Sequence, residues 1–308
     1  MPFIVLGALV AGILEEFLPQ NFITRVLPKA VLPSVLIGGA LGLLFPMCEC
    51  GIVVVMRRLL RKGLPLSCCI AYMLAGPIIN AVVIGSTWIA FKDHKIGPEM
   101  VGLRIGLGYI VACSTGLIVY LQWRKHGNNL LKPLAIPPAA PSEDANGTNL
   151  PPLQKRPLFD RIANISSTAL HDFVDIMVFL ILGAVLAALA RSYISEKEIE
   201  ALSRDQPFLV IPAMMLLGFV LCLCSEADAF VAASFTKLHV SAKTAFLVLG
   251  PMLDIKLVLM YTRVFRLRLI LTIIVSVSIQ VLILCLALHL IYNANGWTGL
   301  PPGAQSAN

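Results

Sequence analysis

Apolar runs about as long as a bilayer is thick fill this sequence almost from end to end, and that decides the kind of fold open to it. A membrane-crossing helix takes about 20 apolar residues. Of the 308 residues here, 58% are apolar and 13% charged, against about 45–50% and about 25% in an ordinary soluble domain. That supply is enough for about eight crossings. A water-soluble domain, a disordered chain and a small disulfide scaffold are all excluded. The expectation is an all-α, polytopic membrane protein of about eight spans.

The runs can be placed in order. A first span covers about 2–18, read as retained because no basic flank precedes it and no cleavage site follows. A second run, Val31 to Met47, breaks at Cys48-Glu49-Cys50-Gly51. Helix then resumes and ends in a basic tip at Arg57, Arg58, Arg61, Lys62 and Gly63. A third, Leu64 to Phe91, is interrupted at Gly76-Pro77, and a fourth ends near Trp123. Residues 124–161 are rich in proline and cannot bury a core, which predicts a linker. A fifth span covers about 166–190, and an acidic piece with Glu196, Glu198 and Glu200 follows. A sixth run breaks at Cys222-Leu223-Cys224, a seventh at Gly250-Pro251, and an eighth ends near Tyr292. The domains expected are a first membrane repeat at 1–123, the linker at 124–161, a second repeat at 162–293 and a tail at 294–308.

The second half echoes the first. An offset of 174 carries Cys48 to Cys222, Cys50 to Cys224, Gly76 to Gly250, Pro77 to Pro251 and Asn80 to Asp254, without a gap. Apolar sequences match by chance, but two Cys-x-Cys pairs and two Gly-Pro pairs in one register do not. Two homologous halves are therefore expected, a common transporter plan. Four spans in each half would make the repeats parallel, with the linker and both termini on one side. The net charge of +7 sits in short clusters between runs, which records topology and lipid contact rather than nucleic acid. Arg263, Arg266 and Arg268 then fall on the side that should be poor in basic residues, unless some pieces re-enter without crossing.

The breaks carry the chemistry. Cys50 lies thirteen residues before the tip at Gly63, and Gly76 lies thirteen after it. At 1.5 Å per residue both sit about 20 Å from the tip, at one depth. Cys224, Lys237 and Gly250 repeat the spacing. Each half thus brings broken helices together in mid-membrane, where freed backbone must line a polar cavity or be buried in protein. In an unwound stretch alternate side chains share a side, so Cys48 and Cys50 can face one ligand, as can Cys222 and Cys224. Helix N-termini just after them favour thiolate. Four thiolates suit a soft metal or metalloid ion. Asn80 and Asp254, three residues past Pro77 and Pro251, can reach the same cavity. Glu226 and Asp228 are read either as first-turn acids in a capping-box arrangement or as proton carriers, since an acid inside a membrane is costly. Glu49 divides the same way. Cys68, Cys69, Cys113 and Cys285 are read as packing residues, and His171, Asp172 and Asp175 as interfacial.

Several motifs together resemble a known family. Cys-Glu-Cys-Gly-Ile-Val at 48–53, Arg-Lys-Gly-Leu-Pro at 61–65 and Ala-Gly-Pro-Ile-Ile-Asn at 75–80 are similar to the bacterial predicted-permease family. That family includes the organoarsenical efflux permease and candidate copper/zinc efflux permeases. Cys-Ser-Glu-Ala-Asp-Ala-Phe at 224–230 and Gly-Pro-Met-Leu-Asp at 250–254 resemble a branch that often occurs with a second permease subunit. The resemblance implies a multi-pass permease of the bacterial inner membrane, with export of a soft ion or thiol-reactive molecule and Cys48 and Cys50 as substrate contacts. Where other branches often carry serine, this chain has Glu49.

The reading is a permease with no bound cofactor, not an enzyme. Its metal ligands are Cys48, Cys50, Cys222 and Cys224. Its substrate site adds Glu49, Asn80, Asp254, Gly76, Pro77, Gly250 and Pro251, and Glu226 and Asp228 carry the coupling proton. A membrane thiol–disulfide carrier is the alternative, weakened by the lack of a Cys-x-x-Cys pair; a non-transporting subunit of a two-component permease is another. No Gly-x-x-x-x-Gly-Lys-Ser/Thr loop is present, which argues against ATP hydrolysis in this chain.

Overall fold

Two helices, Leu66–Ala75 and Val240–Met252, bury every residue they contain, and the other helices pack around them. The computed structural model describes residues 30–44, 47, 49–61, 63–92, 96–132, scattered positions between 177 and 189, and 207–296. The expected first span, most of the linker, most of the fifth span, the acidic piece and most of the tail lie outside the described residues, as does Cys48; Cys50 is described by its backbone alone.

All named elements are helical. They are α1 (Val31–Leu44), α2 (Glu49–Arg61), α3 (Leu66–Ala75), α4 (Ala81–Phe91), α5 (Gly97–His126), α6 (Pro207–Leu221), α7 (Ser225–Ser234), α8 (Val240–Met252), α9 (Ile255–Val264) and α10 (Leu267–Ala294). Among the described residues, three stretches are long and apolar enough to cross a membrane: Gly97–His126, Val240–Val264 and Leu267–Ala294. The protein is a helical membrane protein. Large apolar side chains at Leu267, Leu271, Val275, Ile279 and Ile283 are exposed along one stripe of α10. At four-residue spacing successive members are neighbours and the stripe winds about 160° around the helix, over a surface where lipid rather than protein is the solvent.

Chain direction follows from contacts. The long helices α5 and α10 are antiparallel. Tyr292 donates to Glu99 at one end, and Thr115 and Ser276 hydroxyls lie 3.2 Å apart farther along. At the other end, beyond α5, the Lys132 amide donates to the Val264 carbonyl (3.0 Å) and the Arg266 amide to Leu130 (3.0 Å). This end is the linker side; the Glu99–Tyr292 end is the far side. Helix α1 starts near Gly116 of α5 and descends until Gly42 meets Gly76. Helix α2 then returns to the linker side, ending at Gly63 (φ 96°). Bonds from Gly63 to Leu60 and from Leu64 to Leu59 close it as a Schellman motif, whose left-handed residue glycine adopts without penalty. Helices α3 and α4 then run through to the far side. In the second half the directions reverse. Helix α6 starts where Phe208 stacks edge-on against His289 and descends to Gly218, which lies against Phe246 and Gly250. Helix α7 returns to the far side, and α8 and α9 run through to the linker side.

The parallel relation expected from four crossings per half is therefore not what these helices show. The hairpins α1–α2 and α6–α7 go part way in and come back, from opposite sides, so runs counted as crossings are re-entrant. Arg263, Arg266 and Arg268 now share the linker side with Arg57, Arg58 and Arg61, which removes their conflict with the basic-side rule.

Close backbone approach holds the first hairpin. A Cβ on Gly42 would lie 2.6 Å from the Gly76 Cα, and one on Gly76 would collide with Ile52. Gly42→Val should lower the thermal midpoint of the purified protein, since overpacking costs about 1–3 kcal/mol. Gly85→Val, where nothing lies within 4 Å, should leave it unchanged in the same melt.

Candidate functional site

Each of the four breaks is followed by a fresh helix N-terminus, and the interior ends of α2, α4, α7 and α9 begin there. Two are capped by the polar residues expected at the cavity. Asn80 Oδ1 accepts from the Val82 amide at 3.0 Å, and Asp254 Oδ1 accepts from the Leu257 amide at 2.5 Å. Capping of this kind satisfies an orphan donor where no water is available. The second break is displaced from its expected place: Gly250 and Pro251 remain inside α8, and the helix stops at Met252. The Leu253 amide still reaches the Leu249 carbonyl at 2.8 Å, so the chain leaves the helix only at Leu253–Asp254. In the first half the turn follows Ala75 directly, at Gly76 and Pro77.

A fully buried polar cluster joins these breaks. The Glu49 carboxylate, on the first turn of α2, accepts from the Ser225 amide at 3.4 Å and hydroxyl at 3.3 Å. It thus sits on the N-terminal end of α7, where the aligned amides favour a negative charge. Its other oxygen is 3.1 Å from the Lys256 ammonium, which is also 3.5 Å from Asp254 Oδ2. Arg104, from α5, donates to the Ser225 carbonyl at 2.8 Å and to the Thr87 hydroxyl at 2.7 Å. Asp228 lies alongside: a Cβ on Gly250 would be 3.1 Å from Asp228 Oδ2, an oxygen with no hydrogen bond among the described residues. None of Glu49, Arg104, Asp228, Asp254 and Lys256 is more than 4% exposed. Three acids face two bases, so when all are ionised the cluster carries one surplus negative charge, which a proton or another cation would offset. Glu226 is half-buried beside it.

The structure thus brings Glu49, Asp228, Gly250 and Asp254 of the expected residues into one region, with Asn80 capping the neighbouring break. It also enlists Arg104, Lys256, Ser225 and Thr87 as partners, which motif reading passed over. A signal was present: Arg104 is the single charge inside the run 100–123, and Lys256 stands with Lys243 and Asp254 inside the run 240–261, where a charge is costly.

The cysteines divide differently. Cys222 has φ 49°, in the left-handed region that costs a side-chain-bearing residue roughly 1–2 kcal/mol. Its thiol lies against the Ile255 and Lys256 amides at the start of α9. The amides it meets belong to α9, not to the helix that follows it in sequence. Cys224 precedes α7 as its exposed N-cap residue. Among the described residues no three His, Cys, Asp or Glu side chains gather as a metal site. Cys68, Cys69, Cys113 and Cys285 are buried free thiols on the packed helices α3, α5 and α10.

Residues 1–290 match the family model ArsP_1, described as a predicted permease. The chain belongs to this predicted-permease family. It is 36% identical to the UPF0718 protein YcgR of Bacillus subtilis (strain 168) over 271 residues, covering 88% of this chain and 86% of that one. It is 32% identical over 272 residues, covering 88% and 85%, to a Streptococcus mutans serotype c (strain ATCC 700610 / UA159) protein named "Putative two-component membrane permease complex subunit". No solved structure matches. Family membership makes a permease the frame in which the buried cluster is read.

Proposed function

We propose that this permease exports a soft metal or metalloid ion, or a thiol-reactive small molecule, across the bacterial inner membrane, with the linker side facing the cytoplasm. On this reading the chain is a duplicated protein, fewer than eight of whose runs cross the membrane because each half keeps one re-entrant hairpin; the halves are related by inversion, and broken helices meet at mid-membrane. The observation that carries it is the Glu49 carboxylate of the linker-side hairpin seated on Ser225 and Lys256 of the opposite half. Buried polar contacts between two re-entrant elements form where discontinuous helices build transporter sites. Cys222 and Cys224, at the starts of α9 and α7, and Cys48 and Cys50, at the start of α2, supply thiolates to the cargo. Asp228 and Glu226 carry the coupling proton. The relative named as a complex subunit supports a second permease subunit as partner.

The test loads purified protein separately with zinc, copper(I) and arsenite and measures retained ion by mass spectrometry. Wild type should retain a near-stoichiometric ion, and a variant with Cys48, Cys50, Cys222 and Cys224 all changed to serine should lose at least about tenfold in affinity, a difference of about 1.4 kcal/mol. Equal retention by the two proteins would remove the thiolate site. Everted vesicles with and without the partner subunit then decide whether this chain transports alone.

A further inference from the structure

A second polar cluster sits at the far-side end of α8, away from the breaks. His239 is the N-cap of α8, and its Nδ1 accepts from the Ser241 amide at 3.1 Å. The Ser241 hydroxyl lies 2.7 Å from the same nitrogen. His289 of α10 brings its own Nδ1 to 3.4 Å from His239 Nδ1, with the two rings edge to face at 4.5 Å. The amide group of Asn293 lies 3.2 Å from His289 Nε2. The pattern fits two neutral imidazoles: His239 Nδ1 must be bare to cap the helix, and His289 Nδ1–H can then point at it. His239 Nε2, which holds the ring's one proton while Nδ1 is bare, is buried and has no hydrogen bond among the described residues, so the charge brought by a second ring proton would find no acceptor on that side.

We infer that His239 and His289 form a proton-operated latch that holds the start of α8 to α10 when neutral and releases it on acidification. Protonation of His239 puts a hydrogen on the nitrogen that caps α8 and turns it towards the other imidazole. The cap is lost and the two rings repel. The charged groups around the pair do not offset this. Lys243, one turn along α8, adds positive charge. From α10 comes Tyr292, whose hydroxyl is engaged by Glu99 of α5, and from α6 only the Phe208 ring. Burial, then His289 and then Lys243, push the His239 imidazole down to about 4, one residue before the α8 span begins. The folded, latched form therefore keeps His239 neutral where an exposed histidine, near 6.5, gains a proton. Latch stability is full above about 6.5 and falls as pH drops towards 4.

The test is hydrogen exchange by mass spectrometry on the full chain in lipid nanodiscs, corrected for the intrinsic pH dependence of exchange. Between pH 7.5 and 5, protection of the peptide covering 240–247 should fall about thirtyfold in wild type. His239→Asn keeps a capping acceptor without a titrating group and should show no such loss. Unchanged protection in wild type, or an equal loss in His239→Asn, would overturn the latch. Strong protection of this peptide by zinc(II) at pH 7.5 would overturn it in favour of a metal held between the two rings.

Discussion

Lys256→Met should cost about 3–5 kcal/mol of stability, because it strands the Glu49 and Asp254 carboxylates without the ammonium between them. The contact is fully buried at 3.1 Å and 3.5 Å, so no water replaces the lost partner. The double variant Glu49→Gln/Lys256→Met should recover most of the loss, since a neutral amide can still accept from Ser225. A four-variant denaturation cycle in detergent measures the coupling directly. If Lys256→Met melts with the wild type, the pair contributes nothing and the cluster is not what joins the two breaks. Transport in vesicles adds a separate readout. Should the double variant fold but fail to move the ion, the charges serve the cargo as well as the fold.

Arg104→Ala is the second large effect, again about 3–5 kcal/mol by the same physics. One guanidinium joins α5 to Thr87 of α4 and to Ser225 of α7, and it is the principal basic group acting on Asp228. Lysine has one ammonium where arginine has a planar fork, so Arg104→Lys should keep one of the two hydrogen bonds and fall between wild type and alanine. Adding Asp228→Asn to Arg104→Ala should restore part of the stability by removing the carboxylate left without its cation. An additive loss in that double variant, read from thermal midpoints, would show that Arg104 and Asp228 are not coupled.

Much of this was legible from residue order. The break at Gly76-Pro77, the tip at Gly63 and the restart near Cys224 follow from helix-stopping chemistry that acts locally, and they stand near where the sequence placed them. Glu49, Asp228 and Asp254 were legible because an acid in an apolar run has few cheap explanations. Direction was not. Whether α1–α2 crosses or returns depends on packing against α3 and α5, and apolar run length alone says nothing of it. Pro251 was misread for a related reason. A proline in the last turn of a helix forfeits one donor but does not end the helix while Leu253 still bonds to Leu249. Lys256 escaped because motif reading follows repeated residues, and its counterpart by the offset, Val82, is apolar.

The opposed entry of the two hairpins bears on how an ion could be driven one way. Helices α2 and α9 lie on the linker side of the breaks and α4 and α7 on the far side, all four with their positive ends inward. Their dipoles oppose one another across the membrane and largely cancel along its normal. As far as these four dipoles go, an ion approaching from either surface meets nearly the same field, so the paired breaks by themselves are not a rectifier. Net flux in one direction must be imposed on them by what differs between the two surfaces: a proton gradient, a voltage, or a partner bound to one side.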